Sequence, residues 1–275
     1  MLLLGLVAGL ALTAFAYWTA LRDPAFREAQ VGLADWPQGQ RPLRVLLASD
    51  LHVQGPDMPP ERVTRIVAQI NALAPDLVLL AGDFSGDRQL ATRWYSYEGA
   101  LAPLRDLNAP LGVVAVLGNH DHWRDAQAAR RALVANGVRL LANDALRLGP
   151  LALGGLDDDF TGRADLPRTL ARMREVGGVP VMLSHSPDPF PELAAGVGLM
   201  VAGHTHCGQI RLPIVGAVTN ESRYGDRYGC GRIDEDGRTL IVSAGLGTSV
   251  LPFRLGAVPD LWLIEIGPRA TPAAR

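Results

Sequence analysis

The chain alternates short, continuously apolar runs with longer stretches in which apolar residues recur every three or four positions. Leu43–Ser49, Leu77–Ala81, Gly112–Leu117, Val179–Leu183 and Leu199–Ala202 are short runs rich in Val and Leu. Such runs read as strands buried on both faces, as in a parallel sheet. Between them, Pro60–Ala74 places Val63, Ile66, Val67, Ile70 and Leu73 at helical spacing behind Pro59-Pro60. Tyr97–Leu107, Arg124–Asn136 (stopped by Gly137) and Leu166–Val176 read as further helices. Val138–Leu141, Leu151–Gly155, Thr239–Ser243 and Leu261–Ile266 complete the expected strands. Strands alternating with helices predict an α/β body, and the later Gly-rich portion predicts a second sheet. The expected architecture is two packed mixed β-sheets flanked by helices.

The first stretch breaks this pattern. Met1–Leu21 carries no charge and ends near Tyr17-Trp18. An apolar stretch of about 20 residues spans a bilayer, and Tyr and Trp suit its interface. The basic n-region of a signal peptide is missing, so the stretch reads as an uncleaved, single-pass transmembrane anchor. Arg22 and Arg27 follow it and no basic residue precedes it. The positive-inside tendency then expects the body on the cytoplasmic side of the inner membrane. The polar, Pro-containing segment 22–42 reads as a linker, 43–268 as the folded domain and 269–275 as a tail.

Composition narrows the chemistry. With 275 residues, 48% of them hydrophobic, the chain supports a substantial core. A net charge of -2 gives no basic field, so no nucleic-acid partner is expected. Every one of the 26 basic residues is Arg, which excludes a lysine nucleophile. The two cysteines, Cys207 and Cys230, are too few for a disulfide scaffold or a zinc ribbon. They are expected to be reduced thiols.

Five of the six histidines lie just beyond strand ends, where ligands bind in open α/β sheets. These ends carry Asp50 and His52, Asp83, Asn119 and His120, His185, and His204 with His206. Carboxylate, amide and imidazole donors together suit Mn, Fe or Zn rather than Ca. Seven ligands exceed one tetrahedral site, whereas two metals sharing a carboxylate account for them. Such a centre suits displacement at phosphorus. Asp157-Asp158-Asp159, by contrast, reads as a solvated turn away from this cluster.

Asp50-x-His52, Gly82-Asp83, Gly118-Asn119-His120-Asp121, His185 and Gly203-His204-x-His206 resemble, in order, the five motifs of calcineurin-like metallophosphoesterases. Gly118–Trp123, Gly203–Pro213 and Val242–Arg254 resemble a membrane-associated bacterial subgroup. That subgroup includes enzymes similar to UDP-2,3-diacylglucosamine pyrophosphatase. The resemblance implies a four-layer sandwich and two divalent ions. Asp50, His52 and His206 would hold the first ion, Asn119, His185 and His204 the second, and Asp83 would bridge them. The implied nucleophile is a hydroxide between the metals. His120 would protonate the leaving oxygen, oriented by Asp121. His122, Arg223 and Arg227 are candidate substrate contacts, the arginines for a second phosphate. The implied partner is a phosphoester or pyrophosphate, lipid-linked in the manner of UDP-2,3-diacylglucosamine. A soluble nucleotide or phosphodiester is the alternative, and a non-catalytic metal-binding scaffold is a third reading. Nothing in the sequence bears on oligomeric state.

Overall fold

The computed structural model describes residues 1–88 and 91–269. Helix α1 (Leu2–Leu21) precedes β1 (Ala25–Leu33), β2 (Leu43–Ala48), α2 (Pro60–Ala72), β3 (Leu77–Ala81), α3 (Tyr97–Leu101) and β4 (Val113–Val116). There follow α4 (Asn119–Ala135), β5 (Arg139–Leu140), β6 (Asp144–Leu148), β7 (Leu151–Gly155), α5 (Leu166–Val176), β8 (Val179–Leu183) and β9 (Leu199–Ala202). The chain closes with β10 (Arg211–Leu212), β11 (Gly216–Ala217), β12 (Gly231–Glu235), β13 (Arg238–Val242) and β14 (Asp260–Pro268).

Two mixed six-stranded sheets stack face to face. Their orders are β1-β14-β2-β3-β4-β5 and β12-β13-β9-β8-β7-β6. Within them β2, β3, β4 and β5 run parallel, as do β13, β9, β8 and β7. The central strands are buried on both faces, which explains their unbroken apolar runs. On one face Val45, Leu47, Leu79 and Val116 meet Leu153, Val181 and Val201 of the second sheet. On the other, Leu46, Val78, Leu80 and Ala115 pack under the helices with Val63, Ile66 and Leu133. Met182, Met200 and Leu240 cover the outer face of the second sheet beside Met173 of α5. The expected layering of helices, sheet, sheet and helix is present.

The segment expected as a linker departs from that expectation. Ala25–Leu33 is a strand at the edge of the first sheet, paired in parallel with β14 from Ala25–Asp260 to Leu33–Pro268. Its charged residues face outward while Ala29, Val31 and Leu33 are buried, so the body begins before Leu43. Arg41, further along the same segment, donates to the Asp76 carboxylate at 2.9 Å. Strands β6 and β12 likewise fall where no strand was expected. The tail expected at 269–275 lies, beyond Arg269, outside the described residues.

Helix α1 is long and apolar enough to cross a membrane. Its far turns stand clear of the body, while Ala16, Thr19 and Ala20 near its end are buried against it. The Ala16 carbonyl accepts the Arg254 backbone N–H at 2.9 Å. The Arg62 guanidinium donates to the carbonyls of Ala20 (2.8 Å) and Arg22 (2.7 Å), answering acceptors that a helix end leaves unpaired.

Candidate metal centre

The centre lies beyond the carboxyl ends of β2, β3, β4, β8 and β9, and each delivers at least one polar side chain. The backbone bends sharply there. Asp50, His52, Asp83, His204 and His206 have φ of 53°, 43°, 55°, 71° and 50°. Left-handed conformations in non-glycine residues cost on the order of 1–3 kcal/mol each and cluster at functional sites. These bends, rather than strand alternation, bring Asp50 and His52, and His204 and His206, toward one centre. Gly118 permits a close approach: a β-carbon there would lie 2.3 Å from the Asp83 carboxylate.

All seven expected donors converge, and all are buried. His52 Nε2 lies 3.1 Å from His206 Nε2 and 3.5 Å from Asp83 Oδ2. His206 Nε2 lies 3.5 Å from Asp50 Oδ1. On the other side of Asp83, its Oδ2 is 3.3 Å from His185 Nε2, which is 3.0 Å from Asn119 Oδ1 and 3.1 Å from His204 Nδ1. Asp83 thus sits between a group with Asp50, His52 and His206 and a group with Asn119, His185 and His204.

The hydrogen bonds behind these rings favour a cation. His185 Nδ1 lies 2.6 Å from the Ala81 carbonyl and His204 Nε2 lies 3.1 Å from the Glu221 carbonyl. A carbonyl only accepts, so each ring donates through that nitrogen and turns its other nitrogen into the cluster. Burial opposes a charge on His185, but Asp83 beside it outweighs burial and pushes its pKa up to about 10. The side chains alone therefore hold a proton where a divalent ion would displace one. Burial would also raise Asp83, yet His185 and His120 hold its carboxyl well below the usual range. Burial pushes the His52 and His204 rings down to about 3, leaving them neutral and fit to ligate.

His120 stands at the edge of the cluster, its Nε2 4.0 Å from Asp83 Oδ2 and its Nδ1 2.6 Å from Asp87 Oδ1. Burial opposes its charged form, but Asp83 and Asp87 prevail and raise its pKa. The expectation that Asp121 orients His120 is not met. The buried Asp121 carboxylate accepts backbone N–H groups of Asp83 (2.9 Å), Phe84 (3.0 Å) and Gly118 (3.1 Å), and the Tyr97 hydroxyl at 3.2 Å. It ties two motif loops together, and the orienting carboxylate is Asp87. A carboxylate four residues beyond Asp83 was the available signal.

The candidate substrate contacts fare differently. His122 turns from the cluster to Asp157, at 2.8 Å. The Asp157–Asp159 turn is therefore part of the site's surroundings, and Asp158 is fully buried rather than solvated. Arg223 pairs with Asp159 (2.9 Å) and Asp188 (3.2 Å) in a neighbouring depression that shares Phe160 and Glu221 with the main cleft. Arg227 pairs with Glu235 at the surface and does not line the cleft.

That cleft, about 390 Å³, has Asp83, Asn119, His120, His204 and His206 at its floor. Trp123, Phe160, Ile210, Val218, Val250 and Leu251 form its walls. Beneath the floor the fully buried Arg254 donates to the carbonyls of Ala244 (2.8 Å) and Gly245 (3.1 Å) and lies 3.3 Å from His206 Nδ1. The cysteines are not free thiols: Cys207, next to His206, is disulfide-bonded to Cys230. Their separation of 23 residues gave no sign of it, because only the fold brings the start of β12 against the β9 loop.

A fold of this layering with donors at these strand ends is that of a metal-dependent phosphoesterase. Residues 43–208 match the family model described as calcineurin-like phosphoesterase, and the chain belongs to that family. It is similar to the uncharacterized metallophosphoesterase YkuE of Bacillus subtilis, with 30% identity over 84% of this chain and 81% of that one. An uncharacterized metallophosphoesterase of Aquifex aeolicus is 29% identical over 84% of this chain and 87% of its own. A transmembrane protein with metallophosphoesterase domain from Danio rerio is 25% identical over 94% of this chain, which spans 61% of that protein.

Proposed function

We propose that this chain is held at a membrane by α1 and hydrolyses a lipid-linked phosphoester or pyrophosphate at a dinuclear centre of Mn, Fe or Zn. Asp50, His52 and His206 would hold one ion and Asn119, His185 and His204 the other, with Asp83 placed to serve both. One observation carries the reading: seven buried donors converge, and four of them, Asp83, Asn119, His204 and His206, reach with His120 the floor of a cleft whose walls are aromatic and aliphatic. The floor suits a phosphoryl group and the walls suit an apolar bearer. When bound, such ions polarise the phosphoryl group and make water a competent nucleophile. His120 gives a proton to the leaving oxygen through Nε2. Asp87, on Nδ1, fixes the ring and supports its charged form. Asp121 keeps the Asp83 and Gly118 loops in register. A non-catalytic scaffold has no use for the His120–Asp87 pair.

UDP-2,3-diacylglucosamine stands for the nucleotide-linked lipids and a phospholipid diester for those without a nucleotide. The test sets the metal-reconstituted full chain against both and against a small aryl phosphodiester. Turnover of an acylated substrate at higher kcat/KM than the aryl diester is expected. Preference for the soluble diester overturns the lipid assignment. Asp83→Asn is expected to lose metal and all three activities, and two full metal equivalents in an active variant would overturn the bridge.

A further inference from the structure

Helix α1 has 20 residues, which at 1.5 Å per residue is about 30 Å, the thickness of a bilayer's hydrocarbon core. Yet its last turns are packed on the body through Ala16, Thr19 and Ala20. Were the body wholly outside the hydrocarbon, only the part before Ala16 would remain to span it, about 20 Å. The outward face of the same turns stays apolar, with Phe15, Trp18 and Leu21 exposed. At that level the helix has lipid-compatible surface on one side and protein on the other. The body's surface beside it therefore reaches the bilayer.

That neighbouring surface is itself apolar. The stretch Leu212–Thr219 holds no charged residue. Ile214 is 107% exposed, Val215 71% and Val250 77%. Strands β10 and β11 form a two-stranded hairpin, outside both large sheets, with Ile214 and Val215 at its tip. Exposed apolar patches of this kind mark contact surfaces. Hydrogen bonds join the hairpin base to the anchor. The Arg211 N–H donates to the Leu255 carbonyl (2.7 Å), that of Leu255 to the Gln209 carbonyl (3.0 Å), and that of Arg254 to Ala16 of α1 (2.9 Å). Gln209 Nε2 donates to the Leu251 carbonyl at 3.0 Å. Arg211 also lines one cavity with Phe15 and Thr19 of the helix.

We propose that the Arg211–Ala217 hairpin and the Val250–Leu251 turn form a second membrane contact, seated at the boundary of lipid headgroups and acyl chains. This rests on the membrane-held reading above and extends it. Ile210, Val218, Val250 and Leu251 belong to the strip and also wall the cleft. The strip thus runs from the bilayer to the metal centre, and a lipid keeps its acyl chains in the membrane while its phosphoryl group reaches the floor.

The test uses the full chain in phosphatidylcholine–phosphatidylglycerol vesicles containing doxyl-labelled lipid. An environment-sensitive fluorophore is placed at Leu6→Cys in the anchor, at Ile214→Cys, or at Arg174→Cys. Arg174 lies near the end of α5 that leads into the start of β8, remote from the metal centre. Quenching at positions 6 and 214 but not 174 is expected. Quenching at 6 with position 214 as dark to lipid as 174 overturns the second contact and leaves the anchor standing. This is also the outcome if another protein covers the hairpin. No quenching at 6 overturns the membrane-held reading itself. The paired Ile214→Ser, Val215→Ser variant is expected to lose several-fold in rate on an acylated nitrophenyl phosphodiester in vesicles and to keep its rate on a soluble one. An equal loss on both makes the hairpin structural and overturns the proposal.

Discussion

Asp87 separates the acid from the metal ligands at the scale of single residues. His120→Ala leaves all seven proposed ligands in place, so both metal equivalents are expected to remain. The rate is expected to fall roughly 10²–10⁴-fold, as for loss of a general acid. The fall should shrink for a nitrophenolate leaving group, which needs little protonation. Asp87→Asn keeps the ring and one hydrogen bond but removes the charge, so a smaller fall of the same leaving-group dependence is expected. His204→Ala or His206→Ala should deplete metal and lose both kinds of substrate alike. If His120→Ala loses metal as they do, His120 is a ligand. The residues that converge at the centre were legible because each stands just past an apolar run, which local sequence reveals. Asp87 took the role expected of Asp121 because adjacency in sequence does not say where a carboxylate faces: Asp121 accepts backbone N–H groups of Asp83, Phe84 and Gly118, while Asp87 reaches the ring. Arg254 was visible only as part of a resemblance. Its burial beneath His206 depends on a loop 48 residues away.

Among elements, the central strands were readable and most edge strands were not. β1, β6 and β12 lie at sheet edges, and their sequences mix charged with apolar residues because one side faces water. Burial, not strand formation, writes the continuous apolar signature, so a half-exposed strand looks like a linker. Helix α4 starts at Asn119, earlier than Arg124, because the metal motif forms its own turns before an extended break at Asp125. The docking of α1 yields a test by truncation. Removing 1–14 takes away the free part of the helix and keeps the turns that Arg62 and Arg254 hold. Its thermal midpoint is expected to match the full chain's in detergent. Removing 1–21 also takes away the buried alanines and the edge contact of Tyr17 on Phe253. A loss of about 2 kcal/mol, or roughly 4–8 °C, is expected for a body of this size. Both truncations should still cleave a small soluble diester, since every proposed ligand lies after β2. Equal midpoints for the two truncations would show that the docked end adds no stability.

Over the whole molecule, the two sheets place the candidate metal centre at one end and helix α1 beside it, so on the membrane-held reading the orientation of α1 decides which pool of phosphoesters the cleft meets. The flanking arginines are a weak guide to that orientation. Arg22 lies over the Trp18 ring at 5.0 Å and Arg27 is 3.7 Å from Asp260, so neither is an uncommitted charge. The Cys207–Cys230 bond points the other way from the cytoplasmic placement expected from them. The cytosol keeps thiols reduced, whereas disulfides persist in the bacterial envelope and other oxidising spaces. On the membrane-held reading proposed above, this bond predicts a body on the outward face, where the cleft would meet the lipids of that leaflet and no nucleotide-activated sugar made inside. Intact cells quenched in acid, unfolded and treated with a maleimide should then show neither cysteine labelled until reductant is added. Labelling of both without reductant would place the body inside and restore the nucleotide-linked lipid as its substrate.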